Sequence, residues 1–192
     1  MKNLIQVTLA ALILAVAAAP AAAQKKDSQH LTPAEKQAAQ EVRLKMAADG
    51  LDKLYKLQPE ARQAVEKAVG YAVFDITSIY AILFVGQKGT GVLIDNATKK
   101  PTFMTSARAG TGPGVGKQRV YQVFVFKSKD AMKQFTLTGG LGGDVSGSVS
   151  TGTGGSVRSF NPSVDIYQVP ESGMAVQASW GGTVYSVDTQ LQ

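Results

Sequence analysis

The chain has 192 residues, no cysteine, one histidine and a formal net charge of +6. That excludes a disulfide framework, a thiol nucleophile and a zinc site built from this chain alone. The positive surplus is modest and favours anionic partners without choosing among them.

In chain order, MKNLIQVTLAALILAVAAAP carries Lys2, an apolar run from Leu9 to Ala19, then Ala21-Ala22-Ala23 before polar Gln24. This layout predicts a secretory signal peptide over residues 1–23, with an uncleaved signal anchor as the alternative. No cysteine follows the run, which excludes a lipidated N-terminus. Residues 24–31 (QKKDSQHL) read as a flexible lead-in, and residues 32–192 as one domain. The expected location is exported and periplasmic, with membrane association open.

Thr32-Pro33-Ala34-Glu35 is a helix start: a cap, a proline at the first position and a capping-box glutamate. Ala34, Ala38, Val42 and Met46 form an apolar stripe running toward Gly50. Leu51, Leu54 and Leu57 predict a further turn or short helix. Gln58-Pro59-Glu60 opens another helix, which Gly70 stops.

From Tyr71 the texture changes. YAVFDI, AILFVG, TGVLID, PTFMTSA and VYQVFVF read as short strands separated by glycine or Asn/Lys turns, with 95–100 (DNATKK) as a hairpin loop. Ser128 to Ala131 begins a short helix with Met132 and Phe135 inward. Gly139 to Gly155 lacks bulk to pack and is a loop or a thin strand. VDIYQV, GMAVQASW and GTVYSVD close the chain as strands, with turns at Ser172-Gly173 and Gly181-Gly182. The expectation is an α+β fold: N-terminal helices, then a strongly curled, mostly antiparallel sheet or small barrel with one inserted helix. Short glycine-rich strands without aromatic girdles argue against a transmembrane barrel.

The sequence is poor in catalytic groups. His30 lies in the polar lead-in, where no neighbours orient it as a base, and the serines at 146, 148, 150 and 156 lack the glycines of a nucleophile elbow. Carboxylates stand apart and form no calcium-loop pattern. GTGPGVGKQ at 110–118 superficially resembles a phosphate loop, but Thr111 and Gln118 occupy the places of the required glycine and Ser/Thr, and RVYQVFVF after it alternates like a strand rather than opening a helix. Nucleotide and nucleic acid are therefore not expected partners, and neither a metal nor another cofactor is expected. The alternating glycines instead suit a strand that admits another backbone or bends sharply.

Positive charge near turns remains. Lys88, Lys99, Lys100, Arg108, Lys117 and Arg119 are the candidate contacts to anionic lipid headgroups, each worth about 1 kcal/mol near an anionic membrane. The alternative is that they guard turns and edge strands against aggregation. Arg43, Lys45, Lys53 and Lys56 on the first helix form a second candidate surface, though Glu41, Asp49 and Asp52 interrupt it and favour packing on the sheet.

Ala68-Val69-Gly70-Tyr71-Ala72-Val73-Phe74, Lys88-Gly89-Thr90-Gly91-Val92, Pro101-Thr102-Phe103-Met104, the alternating glycines, Val123 to Phe126, Ala131 to Phe135, Leu141-Gly142-Gly143-Asp144, the segment from Tyr167 to Ala175 and Gly181-Gly182-Thr183-Val184-Tyr185 occur in an order that resembles the SYLF domain family in its exported bacterial branch. In eukaryotes the family is also known as the Ysc-type actin-binding domain. The resemblance runs from about Ala34 to Leu191 and implies a non-enzymatic lipid-binding module of the bacterial envelope. The alternative is an envelope structural or adaptor protein that binds another protein. Three features depart from the eukaryotic pattern: Thr77 and Ser78 stand where a basic residue is expected, Lys88 is shifted by one, and Tyr121 replaces an acid. Phosphoinositide specificity and actin binding are therefore not carried over. Anionic phospholipids or a membrane surface are the expected partners.

Overall fold

The computed structural model describes residues 31–138, 155–157, 161–177 and 183–192. The expected signal peptide, most of the lead-in with His30, nearly all of the Gly139–Gly155 stretch and the Gly181-Gly182 turn lie outside the described residues.

Helix α1 spans Pro33–Leu57 and α2 spans Glu60–Lys67. The Thr32 hydroxyl accepts from the Glu35 amide, and the Glu35 carboxylate accepts from the Thr32 amide and hydroxyl. Gly50 does not end α1, as the sequence suggested. It lies inside the helix because a Cβ there would stand 3.0 Å from both the Tyr121 ring and Val73. The glycine is a notch that lets the helix sit down on the sheet.

Strand β1 (Gly70–Asp95) pairs antiparallel with β2 (Pro101–Phe126) from Gly70↔Phe126 to Ile94↔Pro101. The expected short strands are thus two long ones. The turn expected between AILFVG and TGVLID, at Gln87-Lys88-Gly89, is strand. Helix α3 (Lys129–Thr138) follows β2, with Ser128 Oγ accepting from the Ala131 amide. Strand β3 (Gly155–Val157) pairs with β4 (Val164–Gln177), β4 pairs with the later half of β2, and β5 (Thr183–Val187) pairs with its earlier half. All of these pairings are antiparallel, giving an α+β fold.

The long hairpin is creased. The register slips between Ile82 and Phe84, where Ile82 takes a φ of 56° that β-branched residues avoid. Beyond the crease β1 doubles back on itself. A Cβ at Gly70 would lie 2.7 Å from the Ile94 carbonyl, one at Gly89 2.9 Å from the Asp75 carbonyl, and one at Gly91 2.6 Å from the Phe74 ring. The two halves meet through these glycines and not through a ladder. Among the described residues the strand order is β1-β2-β4-β3 with β5 beside β2, so the sheet is curled but open. The small-barrel expectation is corrected on this point.

Two cores result. Inside the fold, Phe74, Phe124, Phe126, Phe135 and Tyr185 pack edge-on, tilted or, for Phe124 and Phe126, stacked, at centroid distances of 4.9 to 6.5 Å, with Ile76, Leu93, Met104 and Ile166 around them. On the other face, Val73, Val92, Phe103, Tyr121, Val123 and Val125 lie beneath Ala47, Leu54, Ala61 and Val65 of α1 and α2.

Candidate functional site

The six sequence-nominated cations fall into separate places. Lys99 and Lys100 lie in the turn after β1. There the Asp95 carboxylate accepts from the Ala97 and Thr98 amides, and these bonds hold it below the usual carboxylate range. Asn96 ties this turn to the end of α2: its side-chain amide donates to the Val65 and Ala68 carbonyls, and its backbone amide to Val69. Beside the turn, a groove of about 290 Å³ is lined by Leu93, Asp95, Lys100 and Thr102 together with Met132, Lys133 and Leu137 of α3.

Lys88 and Arg108 stand about midway between the crease and the turn, and Lys117 and Arg119 lie opposite Ile79 and Thr77 on the other side of the crease. Lys117 pairs across the ladder with Ile79, and Lys88 with Ala107. Both lysines are exposed. Arg119 is engaged: its guanidinium donates to both carboxylate oxygens of Asp75, at 2.8 and 2.6 Å, and those bonds raise its pKa above the ordinary arginine value. Arg108 is half-buried and lies close enough to Tyr185 for its charge to act on the phenol. That phenol donates to Gln122 Oε1 at 3.1 Å and is pushed well above its ordinary value by burial. Lys88 and Lys117 therefore present cations outward. Arg119 serves an ion pair, and Arg108 faces the interior.

The helical candidate surface is largely consumed by packing. Arg43 donates to the Met104 carbonyl and to Asp188, and burial lowers its pKa against the opposing pull of Asp188. Lys53 pairs with Glu171 and sits 5.3 Å from the Tyr121 ring centre, and Lys56 pairs with Asp52 one turn away.

Sequence reasoning missed the crease. AILFVG reads as a core strand, yet Ile82, Leu83 and Phe84 are exposed, as are Ile79 and Val115 nearby. The signal was in the partner strand. Gly114 opposes Ile82 and offers no side chain to cover it, whereas Tyr80 and Val85, opposite Gly116 and Gly110, are buried from other directions. A second signal was charge: no Asp or Glu occurs from Ile76 to Ile94 or from Pro101 to Phe126.

Among the described residues no three His, Cys, Asp or Glu side chains are grouped to hold a metal, and no helix is long and apolar enough to cross a membrane. The Ser106 hydroxyl is buried without a hydrogen-bond partner among the described residues.

The chain is 32% identical over 174 residues to beta cell expansion factor A of Aeromonas veronii, a match covering 88% of this chain and 65% of that protein. It is 35% identical over 88 residues to LAS seventeen-binding protein 3 in two strains of Saccharomyces cerevisiae, covering 43% of this chain and 19% of the yeast protein. The chain thus spans less than two thirds of these relatives' lengths. No family model matches the chain.

Proposed function

We propose that the chain is a non-enzymatic lipid-binding module of the SYLF type, exported to the bacterial envelope, where it contacts anionic phospholipid headgroups. One observation carries the reading. The creased half of the hairpin holds cations and no acidic residue, and Lys88 and Lys117 on its surface make no ion pair among the described residues. A one-signed surface of this kind attracts an anionic membrane, and the attraction falls with salt. The two relatives, one bacterial and one eukaryotic, are compatible with a SYLF assignment. Of the original candidates, Lys88 and Lys117 are the primary contacts. Lys99 and Lys100 form a separate basic turn at the other end of the hairpin.

Co-sedimentation of residues 24–192 with phosphatidylglycerol vesicles at low salt tests the proposal. Binding should weaken at least about thirtyfold in Lys88→Glu/Lys117→Glu, since losing two charges at about 1 kcal/mol each already costs about 2 kcal/mol, and less in Lys99→Glu/Lys100→Glu. A wild-type chain that ignores anionic vesicles refutes lipid binding and leaves the protein-adaptor alternative.

A further inference from the structure

The crease exposes an apolar surface that the charge argument does not use. Ile82, Phe84, Val115, Leu83 and Ile79 are 73, 72, 69, 60 and 55% exposed. Other exposed large apolar residues, such as Val42, Leu57, Leu137 and Val184, are dispersed over α1, α3 and β5. These five are gathered. Ile79 pairs with Lys117, Ala81 pairs with Val115 two rungs on, and Ile82, Leu83 and Phe84 run consecutively through the crease. Side chains two apart on a strand share a face, so Ile79, Ala81, Val115 and Lys117 form one exposed surface. Contiguous exposed apolar surface rimmed by polar groups marks an interaction site.

We propose that this end of the hairpin enters an anionic bilayer. Ile79, Ile82, Leu83, Phe84 and Val115 pass below the headgroup level, and Lys88 and Lys117 meet lipid phosphates at the rim. The proposal deepens the lipid-binding reading and rests on it. Charge selects the occupant. A second copy docked crease to crease would bring Lys88 and Lys117 of each chain against their own kind, and like charges across an interface disfavour association. An anionic bilayer accepts both lysines while its hydrocarbon takes the five apolar side chains, the division of labour found in interfacial membrane anchors. The glycines of β2 then have a use. They keep the strand behind the apolar residues thin, so that end of the hairpin is narrow enough to enter between headgroups.

The chain has no cysteine, so a single introduced cysteine gives an unambiguous site for an environment-sensitive fluorophore. Phe84→Cys is the probe position. Leu137→Cys on α3 is the control, since Leu137 is also exposed and apolar. With vesicles of phosphatidylglycerol and phosphatidylethanolamine, the label at 84 should shift to the blue and be quenched by lipids brominated in the acyl chains, and the label at 137 should do neither. Ile82→Ser/Phe84→Ser should bind these vesicles at least about tenfold more weakly with an unchanged melting midpoint. Ile82→Gly, which suits the local backbone, provides a second folded variant and should also bind more weakly. If the wild type binds but these variants bind equally well and the label at 84 stays in water, insertion is overturned while lipid binding stands. If the wild type ignores the vesicles, both readings fall. A crease-dependent dimer in solution without vesicle uptake would assign the patch to a second copy and overturn insertion.

Discussion

The two ends of one hairpin obey opposite rules. Where β1 doubles back, Gly91 touches the Phe74 ring, Gly89 approaches the Asp75 carbonyl, and five aromatic rings close the interior. Around the crease the glycines belong to β2, and opposite them Ile82 faces outward while Tyr80 and Val85 are buried. Glycine in a strand thus does two jobs in the same chain. At the packed end its missing side chain makes room for a neighbour. At the crease it leaves the neighbour uncovered. The difference lies in what stands across from each glycine, which only the register and the doubling back reveal.

Substitution should separate the two ends sharply. The largest effect is expected for Phe74→Ala, which empties a fully buried ring site and should cost about 3–5 kcal/mol in chemical denaturation. Next is Gly91→Ala. Its methyl would overlap the Phe74 ring and cost about 1–3 kcal/mol, and Phe74→Leu in the same chain should recover part of that loss because the two residues share one space. At the crease the scale is smaller and the sign changes. Ile82→Gly removes a left-handed strain from a β-branched residue and should raise stability by about 1 kcal/mol. Phe84→Ser should stay within about 0.5 kcal/mol, as exposed substitutions do. A large loss from Phe84→Ser would show that the crease is packed in solution, and the contrast between the ends would fail.

The smallest effect concerns pH at the turn. The Asp95 carboxylate is held below its ordinary pKa by the Ala97 and Thr98 amides, so the folded state prefers it ionised. Its contribution is present above the ordinary aspartate pKa and disappears as pH falls through the lowered value. Melting curves of the wild type and Asp95→Asn should converge as the solution is made acidic. Curves that stay parallel down to strong acid would remove Asp95 from that role.

Much of the class was legible. Branched and aromatic runs after Tyr71 gave an antiparallel sheet, and the helical periodicity before it gave an α+β chain. The lengths were not legible, because a glycine within a strand and a glycine between strands look alike until a partner is known. Gly89 was read as punctuation between two strands and is strand interior. Gly50 was read as a helix end and is a seat for Tyr121. For the candidate site, the basic residues could be read from the sequence, but their neighbours could not. Asp75 occupies Arg119 from the adjacent strand, and Tyr185 lies near Arg108 from a strand far along the chain. The apolar crease stayed hidden because AILFVG has core composition, and Ile82, Leu83 and Phe84 are exposed only where the register slips.

Asn96 is a small residue with a long reach. Laid straight, the strand from Gly70 to Asp95 would extend roughly 85 Å, yet its two ends touch, and the Asn96 amides fasten the turn to the chain just before the strand begins. The hairpin is thus a clasp shut at one end, fastened there by Asn96. Asn96→Ala should loosen the jaws of the clasp where they are farthest from the lesion, seen as faster amide exchange from Ile79 to Phe84 while Phe74 and Phe124 keep their protection. A residue that touches no ligand would then set how sharply the molecule presents its working edge.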